Sequence, residues 1–181
     1  MTKQFQLLYN YVDNQLQGGM MMSSLPQGIH NAVCIGVIIT GINKDKFGLR
    51  KKVVLLWEVY VKDEIKTMSR EYTFSYDERA TLRMHLESWR GGPFTEEKMS
   101  TFQIRNILGV PCKLVIQKND GKKYVQNVLP FPKNEKCICS NTKYIYFDVN
   151  DKRTYSDLER VPNYLKEKIS RIMCTNPINL S

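Results

Sequence analysis

Between Gly28 and Phe131 the apolar positions fall into runs of two different periods. The first run, Ile29 to Thr40, is rich in β-branched residues and broken by Gly36, the composition of a long strand that bends or bulges at a corner. Val53 to Val61 reads as a second strand. Its Leu55, Trp57, Val59 and Val61 form a uniformly apolar face that predicts the inside, leaving Val54, Leu56, Glu58 and Tyr60 on the other. Between these runs, Lys44 to Lys52 reads as a polar, basic loop, and Asp63-Glu64-Ile65-Lys66 as the next turn. Ser69 to Tyr76 alternates strictly and puts Tyr72, Phe74 and Tyr76 on one face, the predicted core side of a third strand.

After Tyr76 the period lengthens to about 3.6 residues. Asp77 is placed to cap a helix through Arg90, with Leu82, Leu86 and Trp89 on one stripe and Gly91-Gly92-Pro93 as the stop. Trp89 is expected to plug the bottom of a barrel and Arg90 to meet carbonyls at the helix end. A shorter helical piece with Phe102, Ile104, Ile107 and Leu108 ends at Gly109. Pro111 then opens a fourth strand, Cys112 to Gln117. Asn119-Asp120-Gly121 is a hairpin signal, and Lys123 to Leu129 returns as a fifth strand. The expected fold is mainly β with α: a five-stranded OB-fold-like barrel over residues 25–132, with a helical connection between strands three and four.

Two flanking parts complete the organisation. Phe5, Leu8, Tyr9, Val12 and Leu16 share one helical face, so residues 1–24 read as an appendage, a short helix followed by a flexible link. Residues 133–181 read as a C-terminal α/β extension. It holds a strand at Tyr144 to Val149 and a capping box at Ser156 to Glu159 that starts a helix, interrupted at Pro162 and continued or restarted over Asn163 to Ile169.

The formal charge of +9, from 27 Lys and Arg against 18 Asp and Glu, favours a polyanionic partner. Five cysteines form an odd set, two of them (Cys34, Cys112) inside predicted strands, which suits a reducing, cytoplasmic setting. No apolar run approaches the ~18 residues of a membrane span, so no membrane role is expected. Cys137-Ile138-Cys139 is too tightly spaced for a zinc knuckle, and neither His30 nor His85 is near it, so no metal or cofactor is expected. A Gly-rich phosphate loop and a metalloprotease-type His pair are both missing, and the chain reads as non-enzymatic.

The residues best suited to nucleic acid are Lys44, Lys46, Arg50, Lys51 and Lys52 of the first loop, facing one acid, Asp45. Tyr60 is the candidate stacking ring on the second strand, and Arg70 on the third could reach a phosphate. Lys118, Lys122, Lys123 and Tyr124 form the second hairpin end. OB-folds hold oligonucleotides across strands two and three and the adjoining loops by phosphate neutralisation and base stacking. A solvated charged loop would carry the same residues; the barrel order is what favours binding.

Several segments carry a resemblance: Leu25-Pro26-Gln27-Gly28, Lys46-Phe47-Gly48, Leu56-Trp57-Glu58, Ser69-Arg70-Glu71-Tyr72-Thr73, Leu86 to Thr95, Leu108 to Cys112 and Val161 to Ile169. Together they are similar to a family of small proteins encoded by bacteriophages and mobile elements near replication or recombination genes. The likeness spans about residues 25 to 172 and leaves the first 24 outside. It implies an OB-fold and single-stranded DNA binding in DNA replication or recombination, with replication or recombination proteins as further partners. The rival expectation is a protein-interaction module that docks on a polymerase, helicase or host-defence protein, its basic surface meeting an acidic partner.

Overall fold

The computed structural model describes residues 25–136 and 139–175; the expected helix over 4–16, the link at 20–24 and the Cys137-Ile138 pair lie outside them. The elements run β1 (Gly28–Asp45), β2 (Gly48–Val61), β3 (Glu64–Thr73), α1 (Thr81–Arg90) and α2 (Glu96–Thr101). A 3-10 turn (Ile104–Ile107) leads into β4 (Pro111–Asn119), β5 (Lys122–Pro130) and β6 (Ile145–Asp148), and a 3-10 segment (Lys152–Arg160) into α3 (Asn163–Thr175).

β1 organises the sheet. It pairs with β2 along nearly its whole length, with two register shifts, between Cys34 and Gly36 and between Ile39 and Gly41. The first is the bend expected at Gly36, where a Cβ would sit 3.1 Å from the Leu56 Cβ. The other edge of β1 is shared. Gly28 to Val33 pairs antiparallel with β4, and Gly36 to Ile39 pairs parallel with β6. The strand order is β3-β2-β1-β4-β5, with β6 beside β1.

The sheet is open, which corrects the expected closed barrel. β3 and β5 are the two ends of the path, and no ladder joins them among the described residues. Side chains stand where that ladder would run. The Arg70 guanidinium donates to the Val125 carbonyl, and Tyr72 Oη lies 3.0 Å from His85 Nδ1 on α1. β5 is also irregular here, its register with β4 shifting between Val115 and Ile116, which interrupts any regular pairing edge.

Each face of the sheet buries its own core. The inner core holds Ala32, Cys34, Val37, Ile39, Leu55, Trp57, Val59, Tyr72, Leu82, Leu86, Trp89, Leu114, Ile116 and Val128, with Phe74 and Tyr76 packed against it. Leu55, Trp57 and Val59 are inside as their alternation predicts, and Trp89 anchors α1 by donating from Nε1 to the Pro111 carbonyl at 2.9 Å. The outer core sets Ile35, Ile38, Val54 and Leu56 against Ile145, Phe147, Val149, Val161, Leu165, Ile169 and Met173. The C-terminal extension is therefore the lid of the outer face.

Several local expectations change. Glu64 to Lys66, expected in a turn, already pair with β2, and β3 ends at Thr73, short of the expected Tyr76. The basic stretch Lys44 to Lys52 is the far end of a β-ribbon, with Asn43 opposite Arg50 and Lys44 opposite Leu49, and only Lys46-Phe47 turn the chain. α1 begins at Thr81 after an Ala80 N-cap that makes no side-chain hydrogen bond. Asp77 instead closes the preceding turn, accepting from Ser75 Oγ at 2.6 Å while its carbonyl accepts from Ala80 N. Ser156 starts no α-helix: Lys152–Arg160 is 3-10, capped by Asp151. The stop at Gly91 (φ 78°) and the hairpin turn at Asp120 (φ 47°) and Gly121 (φ 78°) are as expected.

Candidate functional site

The β1–β2 ribbon beyond Gly41 carries the densest set of cations. Residues paired across an antiparallel ladder share a face, so Ile42, Lys44, Leu49 and Lys51 lie on one side, and Asn43 and Arg50 on the other. Phe47 stands at the turn, 67% exposed, with Leu49 beside it at 69%. Lys46 Nζ lies 4.9 Å, and Arg50 Cζ 5.2 Å, from the centre of the Phe47 ring. At the base of the ribbon Lys51 Nζ lies 5.1 Å over the Phe74 ring. Cation–π contacts of this kind hold the ring against its neighbours while leaving the charged heads in water.

Lys52 differs from the other four. It is only 9% exposed, and its Nζ donates to Thr73 Oγ1 at 3.2 Å, tying β2 to the end of β3. Lys44, Lys46, Arg50 and Lys51 are the outward members.

Tyr60 and Arg70 do structural work. Tyr60 Oη donates to Glu58 Oε2 at 3.2 Å, and Thr142 Oγ1 donates to the other Glu58 oxygen. Burial, with Glu58 beside it, pushes the Tyr60 phenol up to about 12. The ring is thereby fixed on the outer face beneath the segment that leads into β6. Arg70 pairs with Leu55 in the ladder, which puts it on the inner side; its guanidinium stacks 5.1 Å over Tyr72 and reaches Val125.

The second hairpin end has Lys118 opposite Lys123 and Asn119 opposite Lys122. Lys118 and Lys122 are exposed, and Tyr124, 39% exposed, donates to Gln117 Oε1 at 3.3 Å. This end lies beside the start of β1, because Gly28 pairs with Ile116, whereas the ribbon tip lies beyond Asp45. The expected residues thus form two groups at opposite ends of one strand. The outer face of β2 and β3 between them is covered by α3: Tyr164 Oη lies 2.7 Å from Ser69 Oγ, and Lys168 pairs with Glu71.

Other chemistry is sparse among the described residues. No group of three His, Cys, Asp or Glu side chains could hold a metal. Cys34 and Cys112 sit in the inner core, where burial pushes the Cys34 thiol up to about 12 and raises Cys112 as well, opposite to the shift of a reactive thiolate. No helix is long and apolar enough to cross a membrane. Ion pairs elsewhere, such as Lys113 with Glu135 and Arg83 with Glu87, brace the fold.

Phe47 and Leu49 were not singled out by sequence reasoning as contact residues. The available signal was two large apolar residues inside a run of lysines and arginines, where a solvated loop has no use for them. Compared with known proteins, the chain matches no family model, no curated protein and no solved structure. Its class is defined by its own architecture: an open six-stranded sheet with a core on each face and a cationic ribbon tipped by an aromatic ring.

Proposed function

We propose that this protein is a non-enzymatic, sequence-tolerant binder of single-stranded DNA, serving replication or recombination of a phage or mobile element, and that its sheet is an OB-type barrel left unclosed between β3 and β5. The strand order with β1 shared between β2 and β4 supports the OB reading. The observation that carries the function is the ribbon, where Lys44, Lys46, Arg50 and Lys51 surround an exposed ring. Backbone neutralisation beside an aromatic platform is the chemistry that holds unpaired strands.

Titration of a labelled oligo-dT tests it. Four cations meeting four phosphates give a log–log salt slope of roughly 3. Charge reversal of Lys46, Arg50 and Lys51 to Glu should weaken binding at least about tenfold, whereas reversal of Lys118 and Lys122, at the far end of β1, should weaken it much less. No binding by the wild-type protein at low salt, or equal binding by the ribbon variant, would discard the proposal.

One observation favours a second reading, a protein-interaction module. The β2–β3 outer face that OB-folds use for oligonucleotides is occupied here by α3. A stoichiometric protein partner that survives nuclease treatment in a pull-down, together with no affinity for DNA, would select this reading.

A further inference from the structure

We propose that the β4–β5 hairpin tip is a second, separate anchor for unpaired DNA, so that one chain holds two strands at once and bridges them. This deepens the single-strand reading above and rests on it. The tip carries Lys118, Lys122 and Lys123 around a turn made by Asp120 and Gly121. Lys118 stands directly opposite Lys123 in the ladder, so the two share a face. Like charges placed across an antiparallel pair repel and weaken the hairpin. The side chains of Lys118, Lys122 and Lys123 have no ion pair or hydrogen bond among the described residues that would offset this. The turn itself needs none of them, since Asn119-Asp120-Gly121 sets it. A phosphate chain laid against Lys118 and Lys123 removes the repulsion, and the strain of the pair becomes affinity for a polyanion.

This anchor is distinct from the ribbon. The last pair of the ribbon is Asp45 with Gly48, while the second tip lies past Gly28, where β1 meets Ile116. The 18 residues of β1 lie between them, at most about 60 Å of strand. Both faces of the sheet along the way are occupied. On the outer face α3 is tied to β3 through Tyr164 and Ser69. The segment leading to β6 crosses the same face, from Glu135, paired with Lys113 at 2.6 Å, to Thr142, bonded to Glu58. The inner face is core, and its seam is filled by Arg70 on the Val125 carbonyl and by Tyr72 beside His85. A strand held by Lys44, Lys46, Arg50 and Lys51 therefore meets no open cationic track to Lys118 and Lys123 among the described residues. Each tip grips its own stretch of DNA.

Native mass spectrometry of the intact chain with a short oligo-dT, about eight nucleotides long, tests this at low salt. The wild-type protein should carry two oligonucleotides at saturation. Lys118→Glu/Lys122→Glu should carry one, and so should Lys46→Glu/Arg50→Glu. Lys118→Glu alone sets an acid opposite Lys123, so its urea midpoint should rise while the second oligonucleotide is lost, the reverse of a folding defect. With donor- and acceptor-labelled oligo-dT mixed, energy transfer between the two should appear with wild type and fall to background with Lys118→Glu/Lys122→Glu. One oligonucleotide per saturated wild-type chain, two on Lys118→Glu/Lys122→Glu, or equal energy transfer with the two proteins would overturn the second anchor while leaving single-strand binding standing. A urea midpoint that fails to rise in Lys118→Glu would overturn it as well. Failure of the wild-type protein to bind any oligo-dT would remove both.

Discussion

Gly109 shows how one position can be fixed by partners far away in the chain. Its φ is +77°, a Cβ there would lie 2.7 Å from Tyr144 Oη, and its N–H donates to the Cys34 carbonyl at 2.8 Å. Backbone strain and overlap act together, so Gly109→Ala should destabilise by about 2 to 4 kcal/mol, read as a shift in the urea midpoint. Adding Tyr144→Ala should recover only the overlap, because the left-handed φ remains; full recovery would show that φ costs nothing here. From the sequence, Gly109 could be recognised as the end of a helical piece. The Tyr144 contact was not legible, since nothing local links two residues so far apart. The partners of Lys52 and Arg70 were not legible for the same reason. Their charges suit a phosphate, and only the fold reveals Thr73 and the Val125 carbonyl as partners.

At the level of elements, alternation was the most legible signal. The inward faces of β2 and of Tyr72, Phe74 and Tyr76 follow from it, as the apolar stripe of α1 follows from the 3.6-residue period and the Asn119-Asp120-Gly121 turn from its residue types. The ribbon did not, because lysines and arginines mask the two-residue period that runs on from Val53 through Lys51 to Leu49, and no core covers them to restore the contrast. The capping box at Ser156 failed for a tertiary reason. Asp157 accepts the Tyr146 N–H at 2.9 Å and the Arg160 guanidinium at 2.6 Å, and those bonds to β6 and within the segment hold Lys152–Arg160 as 3-10. After Pro162, where the sequence left a helix either to continue or to restart, α3 starts afresh, and its Leu165, Ile169 and Met173 complete the outer core. Ile169 is fully buried, so Ile169→Ala should cost about 2 to 4 kcal/mol in a denaturant titration. A loss under about 1 kcal/mol would mean that α3 lies loosely on the sheet.

For the molecule as a whole, the decisive feature is the seam between β3 and β5. The strands and the helical connection between the third and fourth were legible in the sequence; how the two end strands meet was not, because it depends on whether their edges join through backbone or through Arg70, Tyr72 and His85. His85 gives this seam a pH dependence. Burial first, then the nearby Arg70 charge, lowers its pKa to about 4 from 6.5, while a hydrogen bond to the Gln126 backbone opposes the shift. The folded protein therefore keeps His85 neutral where the unfolded chain binds a proton. Stability should fall as pH drops from about 6.5 to about 4 and level off below, by on the order of 2 kcal/mol from this group. His85→Asn should flatten the urea midpoint over that window relative to wild type. Parallel curves for the two proteins would show that His85 titrates normally.

The two tryptophans give the inner core an optical signature. Trp57 and Trp89 stand 6.3 Å apart between ring centres, both buried, one indole N–H bonded to the Pro111 carbonyl. Their emission is blue-shifted while the core is intact and moves to the red when water enters. Because neither lies on the ribbon, native fluorescence follows the integrity of the sheet and not events at the ribbon tip.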